Sequence, residues 1–426
     1  MRNANEAPTG PKATIFRVSI PAVIRGAGPH VSAPTALRRR PSPLLALLVL
    51  SLAGARAARA ADEQTAFVLT FSNPGARSLA FGGAFAPLAD DATAAYANPA
   101  GLVQLLRPEV SAELRVSGAL EDDASSGDPT VKRANGLSYF SAVYPLRRLS
   151  FALYGHQLAG IDVRIAGEEG SKAAGRPALR ASAGERLSGL DVWRIGMSAA
   201  LRLRDNLSVG LGASYFDGTV ELAPSGETTA ARRSVDSNDW TLNTGALWNP
   251  TEQVRLGAFY RQGPRLSLGR LGEAPCAGSG CAESSLRLPD TYGAGAALRS
   301  AGGAFTVAFE WDRVRYSSLV EGLSAAALGS DRLSLSDANE FHVGAEYAFL
   351  RVDPVLAVRV GGWLDPDHRL CGAAADSPYR CEADARSGRG HVTLGFGMAF
   401  KRFQLDLAVD VSRAEATSSI SGIFSF

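Results

Sequence analysis

Long apolar runs are missing from this chain. Hydrophobic residues make up 46% of its 426 positions, yet no segment reaches the roughly 18 consecutive apolar residues that a spanning helix requires. The longest, Leu44 to Ala55, is too short. No spanning helix is therefore expected in this sequence. An excess of one charge sign is missing too. Lys and Arg number 44 against 42 Asp and Glu, a formal net charge of +2. That balance argues against a dedicated nucleic-acid partner, which shows a basic patch. Met (3) and His (5) are scarce, and Cys is limited to four. No P-loop or Rossmann glycine pattern occurs. The glycine-rich stretch near residue 82 lacks the Lys and the preceding strand that a phosphate cradle needs.

What the chain does have is glycine, 45 residues of it, and a period of two. In Phe305-Thr-Val-Ala-Phe-Glu-Trp-Asp312, Phe305, Val307, Phe309 and Trp311 share one face, and Thr306, Ala308, Glu310 and Asp312 the other. Phe403 to Val411, the run from His391 to Phe400, and the run from Trp193 to Leu201 read the same way. About fourteen such segments follow Pro108, each near the roughly 9–11 residues of a tilted membrane strand. Their connections alternate in length. Those after even-numbered segments are tight, such as Leu146-Arg147-Arg148, Arg204-Asp205-Asn206 and Lys401-Arg402. Those after odd-numbered ones are mostly long and polar, such as Ala159 to Leu187 and Pro366 to Gly388. Short turns on one side and long loops on the other are the pattern of outer-membrane barrels. The fold expected is all-β: a closed antiparallel transmembrane barrel of about fourteen strands over residues 107–426.

Upstream, Arg38, Arg39 and Arg40 precede the apolar run, and Ala58-Arg59-Ala60 follows it. Basic flank, apolar middle and A-x-A end are the parts of a secretory signal peptide. Cleavage is expected after Ala60, with Ala57 as the alternative, so residues 1–60 are assigned to leader and signal. Residues 1–37 are a long leader rich in Pro and Ala, and a start downstream of Met1 would need an alternative start codon. Export places the cysteines in an oxidising compartment, where the close pairs Cys276/Cys281 and Cys371/Cys381 favour local disulfides in external loops. A metal site is the rival reading, with His368 near Cys371 its only support.

Between leader and strands lies the stretch the chain is organised around, Asn73 to Leu102. Gly82 and Gly83 permit tight turns and close approaches. Asp90 or Asp91 is suited to cap a short helix over Ala92 to Ala97. Pro99 holds Asn98 out of helical geometry. The sub-motifs are Gly75-Ala-Arg-x-x-x-x-Gly82-Gly83-Ala-Phe, Ala89-Asp90-Asp91-Ala-Thr-Ala and Asn98-Pro99-Ala100-Gly101-Leu102. Together they resemble the N-terminal hatch of FadL-type outer-membrane transport proteins. Elsewhere the likeness is confined to short echoes, Glu310-Trp311 with Tyr316-Ser317, and Gly344-Ala345-Glu346-Tyr347.

The resemblance implies a hatch over residues 61–106 that plugs the barrel, and passive transport of long-chain fatty acids or other hydrophobic compounds across the Gram-negative outer membrane. In such proteins the hatch shifts and a kinked strand opens sideways to the bilayer. The gate is then expected at Gly82, Gly83, Asp90, Asp91 and the turn Asn98-Pro99-Ala100-Gly101, with Ala100 and Gly101 packed beneath a neighbouring strand. Expected partners are a hydrophobic ligand, outer-membrane lipid and the barrel assembly machinery. No nucleic acid and no cofactor are expected, and the protein is expected to be a monomer. The terminal Ile420 to Phe426 resembles a barrel assembly signal ending on Phe426. The alternative is a barrel of the same shape acting as a surface-protein shuttle or a secretion-associated structural protein. An apolar lining above the hatch favours transport over that alternative.

Strand register places Glu113, Arg115, Arg194, Arg255, Glu310, Asp312, His342, Glu346, Arg359, Asp406 and Asp410 on the lumen face. Paired, they form an interior network packed against the hatch; alternatively, one or two arginines meet a substrate carboxylate. Glu310 and Asp312 also suit a carboxylate pair, and His156, His342 and His391 share the lumen register. No nucleophile or metal motif accompanies them, and no enzyme is expected. Tyr139, Trp193, Trp240, Trp248, Tyr260, Trp311, Tyr347, Phe400 and Phe426 are the expected interfacial aromatics.

Overall fold

The alternating segments form strands, because each carries apolar side chains on one face and polar ones on the other. The structure is a computed structural model and describes residues 72–119, 130–133, 136–164, 180–182, 185–224, 233–269, 284–321, 333–366, 371–372, 388–413 and 415–426. The wall strands are β1 (Glu109–Ala119), β2 (Gly136–Pro145), β3 (Leu149–Arg164), β4 (Glu185–Arg204), β5 (Leu207–Pro224), β6 (Arg233–Trp248), β7 (Val254–Arg261), β8 (Thr291–Arg299), β9 (Phe305–Val314), β10 (Ala338–Phe349), β11 (Val355–Asp365), β12 (Arg389–Ala399), β13 (Phe403–Val411) and β14 (Glu415–Ser425).

Each strand pairs antiparallel with the next, and β3 meets β4 from Leu149↔Leu201 to Asp162↔Gly189. β14 returns to β1 in unbroken register, Glu109↔Ser425 to Ala119↔Glu415. The N–H of Phe426 extends this seam by donating to the Pro108 carbonyl at 3.1 Å. The ring of fourteen strands is closed, so no edge is left unpaired.

The polarity of this barrel is inside out. Leu153 (61% exposed), Ile195 (64%) and Leu211 (57%) stand outward, whereas Glu310, Asp406 and Arg194 are buried inward. A soluble protein does not tolerate a continuous apolar exterior; a bilayer requires one. Trp240, Trp248, Tyr260, Tyr347, Phe400 and Phe426 are exposed on this exterior, as expected. Tyr139 is not: it is buried in the lumen. A bulge is the cause. Glu113 faces Tyr139 but Leu114 faces Leu137, so Ser138 is an extra residue, and Ser138 and Tyr139 both turn inward.

The connections after even strands are all short, for example residues 146–148, 205–206 and 400–402, and those after odd strands are longer except for 412–414 between β13 and β14. We call the end with the even-strand turns inner and the other outer. At the outer end, the segment between β7 and β8 forms a hairpin, Arg265–Gly269 against Ser284–Arg287. The Cys276–Cys281 and Cys371–Cys381 bridges fall outside the described residues, as does the leader.

Residues 72–106 fill the barrel. They contain α1 (Ala76–Ala80), α2 (Ala94–Ala97) and a 3-10 helix, Pro99–Gln104. The second helix is shorter than the expected Ala92–Ala97. Thr93 is its N-cap residue, and Asp91 serves the turn before it, accepting from the Thr93 N–H at 2.9 Å and the Thr93 hydroxyl. Helix α1 lies against β12, β13 and β14. The Ala76 N–H donates to Ser421 Oγ at 3.1 Å, the Thr393 hydroxyl donates to the Ala80 carbonyl at 3.0 Å, and Ala408 packs on Ala76, Leu79 and Ala80.

Candidate functional site

Hatch and wall meet first through charge. Arg77 pairs with Asp90, and lies 3.6 Å from Asp91 and 3.5 Å from Glu346. Glu346 and Asp406 both bind Arg359, each at 2.6 Å, and Arg255 reaches Asp90 at 3.5 Å. The hatch is thus wired to β7, β10, β11 and β13 by one chain of alternating charges. Such a chain is tolerated in the interior because no member is left without a partner. Burial lifts the Asp90 carboxyl, but Arg77 and Arg255 outweigh it and hold the group below its ordinary range. At Asp91 burial wins, and its carboxyl is raised. Arg115 makes a second tie, binding Glu113 at 2.8 Å and the Asn73 carbonyl at 3.0 Å.

The second meeting is through backbone. Asn98 is extended, as Pro99 demands (φ −154°, ψ 99°). Its side-chain oxygen accepts from the Ala100 N–H at 3.2 Å, and its amide donates to the carbonyls of Ala86 (2.9 Å) and Ala246 on β6 (3.1 Å). Ser208 on β5 donates to the Ala100 carbonyl at 2.8 Å. This close seat depends on Gly210 and Gly245, cross-strand partners on β5 and β6. A methyl at Gly210 would overlap Pro99 and Ala100, and one at Gly245 would overlap Asn98 Oδ1. The paired Gly257 and Gly295 receive Ala86-Pro87, and the paired Gly344 and Gly361 receive Phe81-Gly82. The hatch turn at Gly82 (φ 63°) and Gly83 (φ 88°) presses on β10 and β11 and presents the Gly82 carbonyl to His342 Nδ1 at 2.7 Å. A methyl at Gly101 would overlap the carbonyl and Cβ of Ala89 inside the hatch.

Above the hatch the lumen divides into two sides. On one, Leu158, Leu190, Val192, Phe216, Val220 and Val314 make an apolar lining, covered by Leu266, Leu286 and Leu288 from the outer hairpin and by Tyr316 and Leu319. On the other, Trp363 is stacked between His391 (centroids 4.0 Å) and His342 (5.6 Å), and Asp410 accepts from Trp363 Nε1 at 2.9 Å. Glu310 and Asp312 are also buried, and Glu310 accepts from the Ala86 N–H at 2.6 Å. No group of His, Cys, Asp and Glu arranged to hold a metal ion occurs among the described residues.

Tyr96 of α2 stands where the apolar lining meets the hatch. Arg194 lies 4.8 Å over its ring and 4.3 Å over that of Phe216, and Arg261 lies 4.6 Å over Tyr96. His156, across from Arg194 in the β3–β4 ladder, packs edge-on to Tyr96 at 4.5 Å. Immediately beyond His156 the β3–β4 register breaks between Gln157 and Ala159.

Of the sequence-predicted lumen residues, Arg255, Glu346 and Arg359 join the ion chain, Arg115 ties the hatch to β1, Glu310 and Asp312 line the second side, and Arg194 sits at the apolar lining. Sequence reasoning missed Arg77, Tyr96, Arg261, Trp363 and the glycine pairs. Arg77 was visible in the hatch pattern. Glycines at inward strand positions are a known mark of close backbone approach.

The structure resembles two solved channels. The CymD monoaromatic hydrocarbon channel is 18% identical, with a TM-score of 0.57 over 84% of this chain and 99% of that one. The toluene transporter TbuX of Ralstonia pickettii is 16% identical, with a TM-score of 0.54 over 84% of this chain and 100% of that one. At such identities they establish the fold alone. No curated protein matches the sequence. A family model does, over residues 52–368. A closed inside-out barrel, a buried N-terminal plug and that match together make the chain a member of the outer membrane protein transport family (OMPP1/FadL/TodX).

Proposed function

We propose that this protein passively conducts hydrophobic small molecules, long-chain fatty acids or hydrocarbons, across the outer membrane, with the hatch as gate. The observation that carries this reading is the apolar lining on the outer side of the hatch, roofed by the 265–287 hairpin. Apolar side chains facing the interior of a membrane barrel have no role in lipid contact, and an apolar solute can take the place of the hairpin leucines that pack on them. A surface-protein shuttle has no need of such a lining. Straight passage toward the inner end is obstructed by the ion chain and the glycine-seated turns. A sideways exit is the economical route, and the break in the β3–β4 ladder lies beside the lining.

The test is uptake of radiolabelled hexadecanoate and hexadecane by a transporter-null strain expressing the wild type or Ala100→Leu. Wild type raises uptake several-fold over vector, and the variant changes it with unaltered heat-modifiable gel mobility. Uptake no greater than vector for both compounds would refute the proposal.

A further inference from the structure

We infer that the inner rim carries a binding surface for anionic phospholipid headgroups, on the arc of wall that runs from β12 through the β14–β1 seam to β3. The surface lies outside the lumen and is independent of what the barrel conducts. Three segments make it. They are Phe400-Lys401-Arg402 between β12 and β13, Leu106-Arg107-Pro108 before β1, and Leu146-Arg147-Arg148 between β2 and β3. Backbone bonds gather the first two at the seam. The Ser425 N–H donates to the Arg402 carbonyl at 2.7 Å, and the Phe426 N–H to the Pro108 carbonyl at 3.1 Å. Strands β12, β13, β14, β1, β2 and β3 are consecutive neighbours, which sets the two turns of the arc roughly 20 Å apart at about 4.8 Å per strand.

Arg107, Arg147, Arg148, Lys401 and Arg402 are all exposed, and none makes a side-chain hydrogen bond or ion pair among the described residues. No Asp or Glu occurs in the three segments. The rest of the rim differs. Arg204 is followed by Asp205, Arg351 shares its turn with Asp353, and the β6–β7 turn holds Glu252 and no cation. Arg299 is half-buried and donates to the Gly303 carbonyl at 3.2 Å. Positive charge is thus concentrated on one arc and unanswered there, and like charges held together attract an external anion. The height of the charges decides which anion. Leu106, Tyr144, Leu146, Phe400, Phe403 and Phe426 are exposed beside them and belong to the apolar exterior. Each of the five cations is one or two residues from a member of that set. They therefore stand just past the hydrocarbon edge, at the level of aromatic belts and headgroups. Phosphate oxygens lie at that level, and Arg binds them in bidentate fashion, Lys as a point charge. An acidic soluble protein would reach the cations from below and make no use of the apolar side chains between them.

The experiment is native mass spectrometry of purified protein in neutral detergent, titrated with phosphatidylglycerol or phosphatidylcholine of identical chains. Three proteins are compared, each checked by heat-modifiable mobility. They are wild type, a variant with Arg107→Ser, Arg147→Ser, Arg148→Ser, Lys401→Ser and Arg402→Ser together, and a control with Arg204→Ser and Arg351→Ser. Wild type is expected to bind the first phosphatidylglycerol about fivefold or more tighter than phosphatidylcholine, the gain expected from even one basic residue at an anionic surface. The control keeps this preference, and the five-serine variant loses it. Equal binding of the two lipids by wild type overturns the inference. So does an undiminished preference in the five-serine variant, or an equal loss in the control, which would make the effect one of overall charge. If the five-serine variant does not fold, the pairs Arg147→Ser/Arg148→Ser and Lys401→Ser/Arg402→Ser decide, and an undiminished preference in both overturns it. Polyglutamate is the remaining probe, offered to the protein in phosphatidylcholine nanodiscs. Wild type that binds it while showing no lipid preference would assign the arc to an acidic polypeptide and overturn the inference.

Discussion

Gly210 and Gly245 face each other across β5 and β6, and the backbone from Asn98 to Ala100 occupies the notch they leave. A single methyl there meets main chain or a bonded amide, neither of which can rotate away. Gly245→Ala is therefore expected to weaken hatch docking by about 1–3 kcal/mol, the usual cost of overpacking. Trypsin cleavage within residues 72–106 should accelerate, with barrel mobility on gels unchanged. Cleavage at the wild-type rate would count against the seat.

Gly101→Leu should behave differently. Its side chain would strike the carbonyl and Cβ of Ala89, both within the hatch. The expected result is a plug that fails to pack internally, seen as lost hydrogen-exchange protection from Ala89 to Gln104. Protection retained across this segment would show that Gly101 has more room than its surroundings indicate.

Arg77 is shared by Asp90, Asp91 and Glu346. Replacing it with Met removes the only cation of the hatch in the chain and leaves buried Asp91 without a counter-ion, a loss of about 3–5 kcal/mol by precedent for broken interior pairs. Planar-bilayer recordings should show frequent large openings in Arg77→Met and few in wild type. Adding Asp91→Asn should restore part of the closure, since the carboxylate left without a cation is then neutral.

Acid should loosen the plug through Asp90. Its folded pKa lies below the ordinary 3.8, so its ion pair stabilises the docked hatch fully above about pH 4 and is lost as pH falls through the lower folded value. Asp91 is shifted the other way by burial and acts oppositely, so the Asp90 contribution is read as a difference. Open probability compared between wild type and Asp90→Asn from pH 7 to pH 3 should converge at the acid end. A constant gap between them would exclude this linkage.

The wall was legible because its signal is local. Alternation and turn length are read within a dozen residues, and neither depends on what the strand meets. Register errors arose where alternation itself broke. Tyr139 was assigned outward from residue type, and only the bulge opposite Glu113 turns it inward. Either Asp90 or Asp91 was expected to cap the second helix; Asp91 instead serves the turn before Thr93, and Asp90 pairs with Arg77. Strand face alone does not distinguish Arg359, with two carboxylates, from Arg194, with none. That distinction is set by contacts between segments hundreds of residues apart. The glycine pairs are the same case: each glycine was present in the sequence, but its partner and the hatch turn it admits exist only after closure.

The hydrogen bond from Ala76 to Ser421 links the two extremes of the described chain. Helix α1 emerges early in synthesis, yet its bed is made by β12 to β14, the last strands to be made. Helix α1 consequently has nowhere to rest on a partly built cylinder. A nascent barrel short of its final hairpin remains unstoppered, and seating of α1 reports that the seam between first and last strands has shut. Closure and sealing are then one event, and truncation of the last strand should yield protein that is leaky as well as open-edged.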